Sequence, residues 1–200
     1  MTTKKKREKE MFFVVTVQDR IPISASYLDK QEWAVEEGIK RKYVDKIIKG
    51  SGLCVSVRTV LEVRQAKLMY GDGTAHFEVK FSLIVFRPLK GELLQGEIVA
   101  SDNQGLQISV GFFDQIHLPP HLLHPHCSFL DELSVWQTDL KSESATRWTY
   151  AVGSKVLFRV KQVTFASSGE KKESNSLQSS HPMSVIASVS EPGLGVIGWW

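Results

Sequence analysis

Apolar and polar side chains alternate along several segments of this chain. Between residues 77 and 85 every second side chain is apolar, which is the period of a β-strand that buries one face. Shorter alternating or β-branched segments predict further strands at 11–17, 53–58, 94–100, 106–118, 155–161 and 183–189. The segment 106–118 is too long for one strand of ordinary length, and Gly111 predicts a turn or bulge inside it. Residues 92–120 are therefore expected to form three closely spaced strands.

The positions of Phe112 and Phe113 depend on that turn. Counted from Leu106, Phe112 falls on the apolar face and Phe113 on the polar face. A bulge at Gly111 exchanges the two, because one extra residue moves the following side chains to the opposite face. We assign Phe112 to the core, and two roles stay open for Phe113: a core residue, or an aromatic ring that stacks on RNA.

One segment, from Ser26 to Lys49, has the period of a helix. Apolar residues that recur every three or four positions line one side of a helix, and here they are Leu28, Val35, Ile39, Tyr43 and Ile47. Ser26 and Asp29 are predicted N-caps, and Gly50 and Gly52 predict the end of the helix. The basic residues lie largely off the apolar stripe. We interpret them as a solvated face rather than as an RNA-binding surface.

The order of these elements predicts an α+β protein with two domains. Residues 11–88 contain a strand, a helix, a strand and a long strand, which predicts a small RNP-like α+β domain. Residues 89–200 contain five strands with an insertion at 121–150 before the fourth, which predicts an all-β OB-fold barrel. Two segments are poor in apolar residues and are predicted to be disordered, a basic tail at 1–10 and a loop at 167–181.

Aromatic residues mark two further features of the second half. The segments 133–136 and 148–150 are predicted to form the two arms of a hairpin within the insertion. The chain ends on Trp199 and Trp200. Two adjacent tryptophans are costly to expose, so we expect the end of the chain to dock on this protein or on a partner.

Charge is distributed unevenly along the chain. The formal net charge is +3, to which residues 1–10 contribute +3, residues 11–88 +3 and residues 89–200 −3. A protein that binds duplex DNA through its backbone usually has a concentrated basic surface, and the acidic balance of the predicted barrel disfavours one. We therefore expect contact with nucleic acid to be local and weak.

The composition argues against several classes of protein. The longest apolar runs are far shorter than a membrane span, the first ten residues lack the apolar core of a secretory signal, and Cys54 and Cys127 are far apart, as is usual in a reducing compartment. We expect a soluble intracellular protein without a membrane partner. The histidines near Cys127 match no zinc spacing, and no catalytic triad order or phosphate-binding loop is present. No catalytic residue, metal site or cofactor is predicted.

Lys155, Arg159 and Lys161 share one face of the predicted fourth barrel strand. Three cations in that arrangement either bind a phosphate backbone or form a solvated strand face. The residue pattern leaves both interpretations open.

Several motifs in order resemble one known family. The predicted α+β domain with Gly-Asp-Gly at 71–73 and Phe-Arg-Pro at 86–88 is followed by GFFDQIHLPP at 111–120 and by EPGLGVIGWW at 191–200. Together they resemble the large stalk subunits of RNA polymerases, in the form found in RNA polymerase III. The family also includes the stalk subunits of RNA polymerase II and of archaeal polymerases. The resemblance covers about residues 11–200.

The resemblance implies a function in transcription. It implies a nuclear, non-catalytic subunit of a nucleotidyltransferase complex, which pairs with a small helical subunit and docks on the polymerase core through its N-terminal tip. It also implies a role in initiation and contact between the OB-fold and single-stranded nascent RNA. By resemblance, the core-polymerase contact falls on Tyr70, Gly71, Asp72 and Gly73. The RNA candidates are Phe113, Gln115, His117, Lys155, Arg159 and Lys161.

Other functions stay open beside a polymerase III subunit. Within the family, the alternative is the RNA polymerase II form, although the GLG…WW ending at 193–200 favours polymerase III. Outside it, a free-standing OB-fold RNA-binding or translation factor has the same barrel and does not require the N-terminal α+β domain to associate with another protein. An enzyme is the third class, and it requires titratable groups that converge in a pocket.

Overall fold

The structure is a computed structural model that describes residues 11–68, 73–138, 148–166 and 182–199. Its contacts divide the chain into two compact units, with the division between Arg87 and Pro88. The first unit has a helix and strands, whereas the second is all-β apart from short 3₁₀ turns. The predicted α+β fold class is confirmed. Within the described residues, no helix is long and apolar enough to cross a membrane.

An antiparallel sheet forms the body of the first unit. Its strands are β1 Phe12–Ser24, β2 Ile47–Ile48, β3 Gly52–Val63, β4 Lys67–Leu68 and β5 Thr74–Phe86. They lie in the order β1-β5-β3-β2, and β4 also pairs with β5. β5 is the clearest alternating segment of the sequence, and it pairs with β1 over its whole length, from Phe86 opposite Phe12 to Thr74 opposite Ser24.

One helix, α1 Gln31–Tyr43, packs on this sheet. Val35 and Ile39 of α1 are buried in one core with the odd-numbered side chains of β5 from Ala75 to Val85. Burial of that apolar stripe is the main source of stability for a short amphipathic helix.

The start of the helix differs from the prediction. Ser26 and Asp29 do not cap α1, because both lie inside a 3₁₀ helix, Ala25–Lys30, that leads into it. Lys30 precedes α1, and no side chain forms a capping hydrogen bond there.

The end of the helix also differs from the prediction. α1 ends at Tyr43 and not near Lys49, because Ile47 and Ile48 pair with β3 as strand β2. Gly50, with φ of 73°, lies in the turn between β2 and β3, and Gly52, with φ of 130°, begins β3 opposite Ile48. The glycines that predicted a helix end therefore form a hairpin instead.

Polar contacts fasten the end of α1 to β1. The Tyr43 hydroxyl donates to the Asp19 carboxylate, and Lys42 Nζ lies 2.5 Å from the same carboxylate. Burial raises the pKa of Asp19, but the hydrogen bonds from Lys42 and Tyr43 outweigh it and lower that pKa overall. The contacts hold the helix in register on the sheet.

The second unit consists of strands and short 3₁₀ turns. Its strands are β6 Leu93–Asp102, β7 Gly105–Ser109, β8 Ile116–Leu118, β9 Cys127–Leu130, β10 Val135–Thr138, β11 Thr149–Tyr150, β12 Lys155–Phe165, β13 Met183–Ser188 and β14 Gly195–Val196. As predicted for residues 92–120, three strands follow one another there.

Five of these strands close into a barrel. β6, β7 and β8 form an antiparallel meander, β8 pairs in parallel with β13, and β13 returns to β6 through antiparallel β12. This closed path agrees with the predicted OB-fold. Its interior holds fully buried apolar side chains from all five strands, among them Ile98, Ile108, Ile116, Phe158 and Val185.

A small sheet of β9, β10 and β11 is added between β8 and β12. β10 pairs with β11, with Trp136 opposite Tyr150, which confirms the predicted hairpin within the insertion. Trp136 Nε1 donates to the Asp102 carbonyl at 2.9 Å, so the added sheet is anchored to the end of barrel strand β6.

The end of the chain docks on its own unit. The Trp199 ring stacks on Trp148, with centroids 5.1 Å apart and planes 18° apart, and meets Tyr150 edge-on at 4.8 Å. The sequence left open whether the terminal tryptophans dock on this protein or on a partner. Trp199 docks on this protein. Trp200 lies outside the described residues.

Candidate nucleic-acid interface

A tight turn joins β7 to β8 on the barrel. The Val110 N–H donates to the Phe113 carbonyl at 2.9 Å, the Gly111 N–H donates to Ser109 Oγ at 3.1 Å, and Gly111 has φ of 93°. Glycine adopts that left-handed conformation without strain. The turn predicted at Gly111 is therefore present.

This turn exchanges the two phenylalanines. Phe113 is only 5% exposed and belongs to the core, whereas Phe112 is 48% exposed. The assignment of Phe112 to the core was wrong, and Phe113 cannot stack on RNA while its ring is buried. The reason is the left-handed residue at 111, which breaks the alternation that continues through β7.

Polar side chains occupy the outer surface of β7 and β8. His117 on β8 is exposed and lies opposite Gln107 on β7. Gln107 Nε2 donates to the Asp114 carbonyl at 3.0 Å, and Gln115 Nε2 donates to the Asp114 carboxylate at 2.8 Å. His117 and Gln115 are thus near the barrel surface that OB-folds commonly use for oligonucleotides.

The three cations predicted on β12 have different surroundings. Arg159 Nε donates to Glu191 Oε2 at 2.8 Å, and the same guanidinium donates through Nη1 to the Gly91 carbonyl at 2.9 Å. Lys161 Nζ lies 3.5 Å from Glu191 Oε1. Lys155 is exposed and, among the described residues, forms no ion pair. One carboxylate therefore offsets much of the positive charge of this strand face.

A shallow cleft of about 230 Å³ lies beside Lys155. It is lined by Gln95, Gly96, Glu97, Ser109, Val110, Gly111 and Lys155. β6 and β7 approach each other closely beneath the cleft. A Cβ on Gly96 would lie only 2.7 Å from the Ser109 carbonyl oxygen. Phe112 follows Gly111 directly, so an exposed aromatic ring stands at the turn that borders the cleft.

The tip candidates lie mostly outside the described residues. Tyr70, Gly71 and Asp72 lie outside the described residues. Gly73 has φ of 63°, as a turn residue has, and its carbonyl accepts the Ala25 N–H at 3.2 Å. The contact of these four residues with a polymerase core stays a prediction.

Exposed apolar side chains mark the first unit. Phe12, Phe13 and Val14 are consecutive on β1 and are 39%, 37% and 52% exposed. A separate groove of about 470 Å³ lies between α1 and β3, and Val35, Val57 and Leu61 are among the residues that line it. Successive side chains of a strand point to opposite faces, so Phe12 and Val14 share one face of β1 and Phe13 lies on the other. Exposed apolar side chains of this size are typical of surfaces that bind other proteins.

Sequence reasoning missed two residues of this interface. Glu191 was noted only within the terminal motif, although it is the one acid in EPGLGVIGWW and so the natural partner for the cations of β12. Phe112 was assigned to the core because the period of β7 was extended through Gly111, although a bulge there was predicted to exchange Phe112 and Phe113.

Comparison with known proteins shows which family this chain belongs to. A family model described as RNA polymerase III subunit Rpc25 matches residues 92–200, more than half of the chain. The chain belongs to this family. A second model, the SHS2 domain found in the N terminus of Rpb7p and Rpc25p, matches residues 18–73 of the first unit.

Relatives named as RNA polymerase III subunits match this Rpc25 family member along almost its whole length, whereas an RNA polymerase II relative matches a shorter part. The DNA-directed RNA polymerase III subunit rpc8 of Schizosaccharomyces pombe is 30% identical, covering 95% of this chain and 100% of the relative. The RPC8 subunit of Bos taurus is 29% identical, covering 95% and 98%. The DNA-directed RNA polymerase II subunit RPB7 of Saccharomyces cerevisiae is 25% identical, covering 60% and 71%.

Proposed function

We propose that this chain is the large stalk subunit of DNA-directed RNA polymerase III. It is a nuclear, non-catalytic subunit of a nucleotidyltransferase complex, it pairs with a small helical subunit, and it supports initiation while its barrel contacts nascent RNA. The observation that carries the proposal is the end-to-end match to relatives named as RNA polymerase III subunits, 100% of the Schizosaccharomyces pombe relative among them. The shorter match to RPB7 favours polymerase III over the polymerase II alternative.

The apolar surface of the first unit supports protein docking. Large apolar side chains are exposed on both faces of β1, Phe12 and Val14 on one and Phe13 on the other, and burial of such area in an interface is favourable at about 25 cal/mol per Å². The predicted contact with the polymerase core is the turn of Tyr70, Gly71, Asp72 and Gly73. A free-standing RNA-binding factor has no need of such a surface, so this exposure favours a subunit.

The second unit supports a weak RNA contact. Gln115, His117, Lys155, Arg159 and Lys161 form the proposed RNA surface, without Phe113. Residues 89–200 have a net charge of −3, and Glu191 pairs with two of the three cations. Because phosphate neutralisation supplies most of the sequence-independent affinity for nucleic acid, the barrel alone is expected to bind RNA weakly.

Affinity purification followed by mass spectrometry tests the subunit assignment. The full chain carrying a tag is expressed in cells and recovered beside a control that carries the tag alone. We expect the largest subunits of RNA polymerase III and a small helical subunit in near-stoichiometric amounts. Recovery of polymerase II subunits instead would support the alternative assignment, and recovery of no polymerase subunit would support the free-standing factor.

A further inference from the structure

The barrel exposes an aromatic ring, that of Phe112, at the turn between β7 and β8. Proteins that bind single-stranded nucleic acid without base readout stack bases on aromatic side chains. On the outer surface of β7 and β8, the OB-fold site, the described side chains are Gln107, Ser109 and His117, which include no phenylalanine, tyrosine or tryptophan. Among the described residues of the second unit, Phe112 is the aromatic residue with a highly exposed side chain.

The turn presents this ring from a rigid base. The Val110 N–H to Phe113 carbonyl hydrogen bond closes the turn at 2.9 Å, and the buried Phe113 side chain anchors it in the core. A backbone that is fixed before binding loses little conformational freedom when a base stacks on the side chain that it carries. Phe112 is therefore better placed for stacking than an aromatic residue on a flexible loop.

The cleft beside the turn has groups that match a nucleotide. Lys155 supplies a cation for a phosphate, while Gln95 and Ser109 supply hydrogen-bonding groups for a ribose or a base edge. Glu97 lies opposite Lys155 across β6 and β12 and lines the same cleft. Its carboxylate repels a phosphate, which confines the phosphate to the Lys155 side. The two charges cancel, so the ring and not electrostatic attraction supplies most of the affinity.

Resting on the proposed contact with nascent RNA, we propose that Phe112 and Lys155 form a binding site for one nucleotide of single-stranded RNA. The base stacks on the Phe112 ring, the phosphate binds Lys155, and the base edge or ribose faces Gln95 and Ser109. The stacking ring selects no particular base, since every base has an aromatic face.

Fluorescence anisotropy with the full chain tests this site. The probe is a fluorescein-labelled oligouridylate of about 12 nucleotides, within the length that one OB-fold covers. We expect Phe112→Ala to weaken binding at least about fivefold and Phe112→Leu to do the same, because leucine keeps apolar area but has no ring. Phe112→Trp is expected to keep the affinity or raise it. Leu133→Ala, at another highly exposed apolar residue of this unit, is the matched control and is expected to leave binding unchanged.

The charged residues of the cleft give an independent measurement. For single-stranded nucleic acid, each phosphate contact contributes about 0.7 to the slope of log affinity against log salt concentration. Lys155→Ala is expected to reduce that slope by about this amount, whereas Lys49→Ala in the first unit leaves it unchanged. Glu97→Gln is expected to raise affinity about two- to threefold, because it removes the carboxylate that repels phosphate.

The outcomes separate this site from the proposed function. If the wild-type chain does not bind the oligonucleotide even at low salt, the proposed RNA contact is wrong, and this site with it. If the wild type binds and both Phe112→Leu and Phe112→Trp bind with the affinity of the wild type, the RNA contact stands and the stacking site is overturned. If Phe112→Ala binds RNA normally but recovers fewer polymerase subunits, the residue belongs to a protein interface instead. A melting temperature within about 2 °C of wild type shows that each variant is folded.

Discussion

His124 lies in an aromatic cluster that holds the end of the chain. Its Nδ1 is 2.6 Å from the Tyr150 hydroxyl, and its ring is 5.8 Å from that of Trp199. Burial lowers the pKa of His124 below its ordinary value of 6.5, while burial raises the pKa of Tyr150, so that the phenol stays protonated. The folded protein therefore favours the neutral imidazole.

The first prediction concerns the pH dependence of stability. Because the pKa of His124 is lower when folded, the unfolded chain takes up a proton first as the pH falls. The contribution of neutral His124 is complete above about pH 6.5 and is lost as the pH falls below that value toward the folded pKa. We expect the free energy of unfolding, from urea denaturation, to fall between pH 7.5 and 5.5. His124→Gln is expected to flatten this dependence and to cost about 1 kcal/mol at pH 7.5 through its weakened hydrogen bond and packing.

An exposed histidine of the same segment provides the control. His121 is exposed, so His121→Gln is expected to leave both the stability and its pH dependence unchanged. If His121→Gln flattens the profile and His124→Gln does not, the cluster is not the origin of the acid sensitivity.

At the residue scale, the sequence predicted which alternating positions lie in the core better than it predicted which of two adjacent rings faces inward. Leu94, Ile98 and Val160 are core residues as their alternation predicted. Phe112 and Phe113 were exchanged because a single left-handed glycine decides which of two adjacent rings faces inward. That conformation is set by the Val110–Phe113 turn, which no periodic pattern encodes.

Gly96 shows how one position sets the spacing of two strands. A Cβ placed there would meet Ile108 Cγ2 at 2.6 Å and the Ser109 carbonyl oxygen at 2.7 Å. Real Cβ atoms do not approach other atoms that closely, so β6 and β7 can pair at their observed separation only with glycine at this point. The close approach of the two strands therefore gives Gly96 a steric role.

The second prediction follows from this close approach. Gly96→Ala must push β7 away from β6, and overpacking of this kind costs about 1–3 kcal/mol. Gly198→Ala is the matched control, since nothing lies within 4 Å of its added Cβ, and its effect is expected to stay within about 0.5 kcal/mol. Urea unfolding followed by tryptophan fluorescence measures both variants. Equal stabilities for the two would show that the barrel relaxes freely at Gly96.

At the element scale, long alternating strands were predictable and short or bulged ones were not. β5 follows its period-2 pattern, and β12 follows it from Lys155 to Val160, beyond which its pairing with β13 shifts register. β3 departs from it, because its pairing with β5 shifts register between Cys54 and Ser56 and twice more along the strand. β2 was predicted as the end of a helix, since Ile47 fits a helical stripe as well as a strand and only pairing with Leu53 decides between them.

At the scale of the whole molecule, the order of elements was sufficient for the fold class. Five strands with an insertion before the fourth predicted a barrel, and the closure through parallel β8 and β13 agrees with it. The electrostatics of the interface were less predictable. Three cations on one strand face are evident from the sequence, but their pairing with Glu191 joins residues about thirty positions apart and depends on the fold.

The last prediction tests how Glu191 limits RNA binding by the whole barrel. Arg159 and Lys161 both contact its carboxylate, at 2.8 and 3.5 Å, so a phosphate that approaches them meets a competing anion. Glu191→Gln keeps a hydrogen-bond acceptor for Arg159 but removes the charge. We expect it to raise RNA affinity about three- to tenfold at low salt and to steepen the salt dependence, because more phosphates are then neutralised.

A remote carboxylate separates a local effect from one of net charge. Glu132 is exposed in the turn between β9 and β10, so Glu132→Gln makes the same change in net charge away from β12. If both variants strengthen binding equally in an anisotropy titration, the effect is one of overall charge. If Glu191→Gln binds no better than wild type, Arg159 and Lys161 serve the fold of the barrel and not its RNA surface. A gain confined to Glu191→Gln would identify the terminal segment as an internal competitor for the phosphate site on β12.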